Sequence, residues 1–121
     1  MPTKTLIITE RAQRGELFRL RPKNKKVLKV VVDIESCLLA AGGDSFGEGE
    51  DALIATGSRP KDLWGALYLP KENQILCLSM INIKPDNLSL EILDPLLRST
   101  IKIIILHLLG DDSLFAGVHN L

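Results

Sequence analysis

The chain has 121 residues, the size of one ordinary domain, and 45% of them are apolar, enough for a buried core and too many for a disordered segment. Fifteen basic and fifteen acidic residues cancel, which argues against a polycation that coats nucleic acid and against an acidic tail. Two cysteines, Cys37 and Cys77, are too few for a disulfide-stapled secreted domain, and no apolar run reaches the ~20 residues that cross a bilayer. Leu6-Ile7-Ile8 is too brief for a signal peptide, so the expectation is a soluble cytoplasmic protein with reduced thiols and no membrane partner.

In chain order, Thr9 can cap a helix over Glu10–Leu20, with Ala12, Leu17 and Leu20 as its apolar stripe, and Arg21-Pro22 ends it. This first stretch is basic: residues 1–29 carry a net +7 and residues 30–121 a net −7. Such segregation suits a nucleic-acid arm or two faces that complement each other, and its plainer reading is a solvated basic helix and loop. Only Phe18 interleaves the cations between Arg11 and Lys29, so a stacking platform for single strands is missing.

Val27–Ile34 reads as the clearest strand, with Leu28, Val30, Val32 and Ile34 on one face. Val27 and Val31 alternate with Lys29 and Asp33 on the other, as in a sheet half open to water. Glu35-Ser36 turns the chain, Cys37–Ala41 returns as a hairpin partner, and Gly42-Gly43 ends it. Glu50–Thr56 reads as a short helix with Gly57 in the left-handed position past its end. Trp64–Leu69 and Gln74–Ile83 form a second hairpin around Pro70-Lys71-Glu72-Asn73. Asp94-Pro95 opens a last helix that runs to Leu109 and stops at Gly110.

The order α-β-β-α-β-β-α, dominated by hairpins, predicts a single α+β domain over residues 1–110, with helices packed on an antiparallel sheet of about four strands. Residues 111–121 read as a C-terminal tail. In the last helix Arg98 and Lys102 are the only charges, and Ile105 and Leu109 continue their line. A helix apolar on nearly every side needs more than one covering surface. A homo-oligomer joined through Ile103, Ile105, Leu106 and Leu109 satisfies that, as would the Leu114-Phe115 tail folding back.

Several motifs touch chemistry. Gly43-Asp44-Ser45-Phe46-Gly47 matches a nucleophile elbow, but the preceding strand reads as half of a hairpin, not as the central parallel strand the elbow needs. Gly47-Glu48-Gly49-Glu50-Asp51-Ala52 spaces its glycines like a dinucleotide fingerprint, yet its three carboxylates would repel the pyrophosphate. A calcium loop starting at Asp44 fails because Phe46 and Ala55 fall at ligand positions. Asp44, Glu48 and Glu50, joined by Asp33, could still hold Mg²⁺, Mn²⁺ or Ca²⁺ through oxygen. The plainer reading of that segment is a solvated acidic loop. His107 reads as a packing residue, Trp64 as a core anchor, and Cys37 and Cys77 as strand thiols of structural kind.

Val30-Val31-Val32-Asp33-Ile34-Glu35, Gly42-Gly43-Asp44, Gly57-Ser58 with Asp62-Leu63-Trp64-Gly65, and Ser79-Met80-Ile81-Asn82-Ile83-Lys84-Pro85 stand in this order. Together they resemble a small family of prokaryotic proteins grouped as a domain of unknown function, over about residues 5–109. The resemblance implies no activity, cofactor or substrate. Where that family's pattern continues Gly-Gly-Glu into a Leu-His-Ala-Asp-like stretch, this chain has Asp44 and Ser45-Phe46-Gly47-Glu48, without the imidazole. The sequence therefore favours a non-catalytic, self-associating binding or interaction module with no cofactor. A small hydrolase using a divalent metal on Asp33, Asp44, Glu48 and Glu50 is the alternative, and nucleic-acid binding by the basic N-terminal region the weaker one.

Overall fold

The alternation at Leu28–Asp33 produces the central strand of the molecule, buried on both faces. The computed structural model describes residues 5–20 and 27–110, and within the first helix the side chains of Arg14, Leu17 and Phe18 are excluded. Its elements are β1 (Leu6–Ile8), α1 (Arg14–Leu20), β2 (Leu28–Asp33), β3 (Leu38–Ala41), α2 (Phe46–Ala55), β4 (Leu63–Leu69), β5 (Gln74–Leu76) and α3 (Pro95–Leu109). Short 3₁₀ turns occupy Pro60–Asp62 and Met80–Asn82. The strands form one open antiparallel sheet in the order β1-β3-β2-β4-β5.

The class is the α+β expected, with a fifth strand added. β1 is only three residues long and pairs with β3, Leu6 opposite Ala41 and Ile8 opposite Leu39. The first helix starts at Arg14 instead of Glu10, because the backbone just before it is committed elsewhere. Ala12 N–H donates to Leu108 O (2.8 Å) and Gln13 N–H to the Glu16 carboxylate (3.1 Å). The second helix starts four residues before Glu50. Ser45 caps it by accepting from Glu48 N–H at 3.2 Å, and a Cβ on Gly49 would stand 2.9 Å from Val31 Cγ2, so glycine lets the helix lie close on β2. The strand after the second hairpin ends at Leu76, not Ile83. The last helix begins as read: Asp94 Oδ1 accepts from Leu96 N–H at 2.9 Å with Pro95 in the first turn.

Both faces of the sheet are covered around β2. Val30, Val32, Leu39, Trp64, Ala66 and Tyr68 meet α3, while Val31, Ala40 and Leu63 meet Leu53 of α2 with Phe46 and Ile81 beside them. The half-solvated face expected beside Val31 is thus closed by a helix, and Asp33 on it is 1% exposed. In α3, Ile101, Ile104, Ile105, Leu108 and Leu109 are buried against the chain's own sheet. At ~1.5–3 kcal/mol for each buried aliphatic side chain, this seam is a main support of the fold. Leu97 and Leu106 are half-buried, and Leu96 and Ile103 remain 78% and 67% exposed. Of the four residues named for an oligomer contact, Ile105 and Leu109 belong to the core, Leu106 sits at its margin and Ile103 faces outward. Residues 21–26 of the basic stretch and the tail at 111–121 lie outside the described residues.

Ile105→Ala leaves a void under α3. It lowers stability by about 2–5 kcal/mol, read as a shifted urea midpoint with an unchanged slope.

Candidate functional site

Of the four carboxylates considered for a metal, Asp33 is held apart from Asp44 by strand register. Asp33 pairs with Leu38 at one end of the β2–β3 ladder, whereas the segment Gly42–Asp44 leaves from the other end, beyond the Val30–Ala41 pair. Three residues of extended chain alone separate those ends by ~10 Å. Two of the carboxylates also have local work. Asp33 Oδ2 accepts from Ser58 Oγ at 2.6 Å, and Oδ1 accepts from the backbone N–H groups of Glu35 (2.9 Å) and Ser36 (3.0 Å). Glu48 accepts from Asp44 N–H at 3.1 Å while its own N–H is taken by Ser45, so it closes the start of α2. Glu50 is half-buried on α2. Lys29 Nζ, 5.9 Å from the Phe46 ring centroid, donates to Asp44 O at 2.8 Å. Among the described residues no group of three or more His, Cys, Asp or Glu side chains is arranged to hold a metal ion.

The other singled-out residues fall as follows. Ser45 of the elbow-like motif is the helix cap already described. His107 is exposed, not packed as expected, and its carbonyl accepts from Arg11 Nη1 at 3.2 Å. Arg11 Nη2 also donates to Gly110 O at 2.9 Å, so two cations of the basic region, Arg11 and Lys29, tie the fold together. Cys37 lies outside the strands: it is exposed in the hairpin turn with φ 56°, its N–H donating to Asp33 O at 2.9 Å. Cys77 is buried.

What the structure does bring together, and periodicity could not show, is Trp64-Gly65 with the segment 79–93. Asn82, fully buried, accepts from Gly65 N–H at 2.8 Å and donates to Gly65 O and Leu90 O, both at 3.0 Å. Asn87 donates to the carbonyls of Asn82, Ser89 and Glu91 and accepts from Leu93 N–H. Lys84 Nζ sits 4.7 Å from the Trp64 ring centroid and donates to Ile81 O at 3.0 Å. Burial pushes the Lys84 ammonium below its ordinary range, with Glu50 and Asp86 pulling the other way. Trp64 Nε1 is buried with no hydrogen-bond partner among the described residues. Lys84, Lys61, Pro60, Pro85 and Asp86 line an open cleft of about 260 Å³.

Of eleven large hydrophobic side chains exposed among the described residues, nine fall between Leu76 and Ile103. Met80 and Leu88 are 78% and 80% exposed, and Leu90, Leu93 and Leu96 follow in the chain. Beside them, Leu76 and Leu78 edge a second cavity, between β5 and α3.

Asp33 gives the site region a pH signature. Burial alone would raise its pKa, but the bonds from Ser58, Ser36 and Glu35 together outweigh burial and hold it below the ordinary 3.8. A carboxylate with a depressed folded-state pKa contributes stability above the unfolded-state value, and that contribution is lost as pH falls through the folded-state value. Asp33→Asn should therefore cost about 1–3 kcal/mol at neutral pH. The gap to wild type should narrow on acidification below the carboxylate range, measured by urea unfolding at several pH values.

A family model described as "Protein of unknown function (DUF5674)" matches residues 6–108. No curated protein and no solved structure matches the chain.

Proposed function

Because the chain belongs to the DUF5674 family of proteins of unknown function, we propose from its own surface that it is a non-catalytic interaction module that self-associates. The observation that carries this is the gathering of nine of the eleven large hydrophobics exposed among the described residues into residues 76–103. Scattered apolar side chains on a surface need no explanation, but a concentration of them marks an association site. The segment between Leu76 and Leu90 holds only two charged residues, Lys84 and Asp86, the composition of an interface centre more than of a solvated loop.

The surface has a firm base. Leu78 pairs with Glu91 by an antiparallel bridge, Ser79 N–H donates to Leu90 O at 3.1 Å, and Asn82 and Asn87 clamp the intervening chain. Met80, Leu88 and Leu90 are therefore displayed on a braced excursion, and Leu96 and Ile103 stand two turns apart on the outer side of α3. A second copy offers the same patch to itself, which closes as a two-fold dimer. No helix is long and apolar enough to cross a membrane among the described residues, and a partner chain is the occupant this reading commits to. In it Ile103 and Leu106 keep the interface role read from the sequence, while Ile105 and Leu109 act only through the fold.

Light scattering across a wide concentration range should show a dimer that Leu88→Glu and Ile103→Glu shift to monomer. Both side chains are more than half exposed, so folded-state circular dichroism and melting should be preserved. A wild-type chain that stays monomeric at every concentration, or variants that associate as wild type does, would remove the reading.

A further inference from the structure

We propose that the cavity between β5 and α3 is a binding site for a small monocarboxylate with a short aliphatic tail. Its volume is about 210 Å³, below the ~300–1,000 Å³ of sites that take drug-sized ligands, so the occupant must be small. Leu76, Cys77 and Leu78 give it an apolar wall from the sheet edge, and Arg98 and Lys102 give it two cations from the helix.

Three features point to an anion. Arg98 and Lys102 are the only Lys or Arg residues in the fifteen of α3, and both line this one space, four residues apart on a common face. Arg98 spends Nη1 on Ile92 O (3.0 Å) and Leu93 O (3.4 Å), which orients the guanidinium. Its Nη2 and Nε have no partner among the described residues and remain for a carboxylate fork. Glu91 also lines the cavity, yet among the described residues no ion pair joins it to either cation. Glu91 then acts as the selector: a ligand with a second negative charge meets a carboxylate, so a monocarboxylate is favoured over a dicarboxylate of equal length.

The Cys77 thiol forms part of the apolar wall. Burial raises its pKa above the ordinary 9.0, with Lys102 and Arg98 opposing, so it stays protonated and serves as packing surface. Leu76 and Leu78 are shared with the proposed association surface, and ligand binding is read by its own heat, separately from the oligomeric state.

The test is isothermal titration of the full chain with hexanoate, using hexylamine and adipate as charge controls, on wild type, Lys102→Gln and Arg98→Gln. Saturable hexanoate binding, weakened about tenfold or more in both variants and in both controls, supports the site. Absence of saturable heat at millimolar hexanoate overturns it, and so does equal binding of hexylamine or unchanged affinity in Lys102→Gln. Lys102 is exposed, so that variant keeps its fold and decides the matter even where Arg98→Gln melts early.

Discussion

A single buried carboxamide stands where a strand is missing, and the shape of one side of the molecule follows from it. At Gly65 the edge strand that should pair with β4 has already turned away, its continuation bridging to Glu91 through Leu78. The N–H and C=O of Gly65 would be left bare inside the protein, a loss of about 1–3 kcal/mol for each group. Asn82 presents a donor and an acceptor from one side chain and satisfies both. Gly65 is required in turn, because a Cβ there would lie 2.4 Å from Ser79 Cβ. The chain can therefore leave the sheet after β5 and return at Ile92 without exposing the ladder. Met80, Leu88 and Leu90 of the apolar surface, the Lys84 of the Lys84–Trp64 stack and one wall of the cavity beside Arg98 belong to that detour.

The sequence was readable where one local rule acts alone. The alternation of Leu28, Val30 and Val32, the Asp94-Pro95 helix start and Gly57 with φ 108° each follow from backbone physics at short range. It was less readable where partners come from far along the chain. β1 is three residues long and owes its strand character to β3. Gly47 and Gly49 argue against a helix by propensity, yet the second of them admits α2 to within contact of Val31. The apolar length of α3 was plain, but periodicity could not say that the line shared by Arg98 and Lys102 enters the core at Ile105 and Leu109.

The site residues show the same division. Asp33, Asp44 and Glu48 carry the charge a cation would want, and spacing alone left them free to converge. Register sends Asp33 to the far end of the ladder, and the helix start engages Glu48. The clamping role of Asn82 and Asn87 was not legible, since an asparagine that braces a buried excursion is spelled like one in a surface loop. Asn82 was read inside a strand running to Ile83, where the structure has a 3₁₀ turn.

The way the ends of the fold meet has a consequence for its biogenesis. Ala12 N–H donates to Leu108 O, Arg11 reaches the carbonyls of His107 and Gly110, and α3 is the main roof of the Val30–Val32 face of the sheet among the described residues. Until residues 95–110 clear the ribosome, that greasy floor lacks its main lid, and β1, though paired with β3, lacks the Arg11–Ala12 tie that follows it. Closure therefore waits on contacts of very long sequence separation, the slowest kind to form. That uncovered floor is the surface on which chaperone capture would compete with maturation.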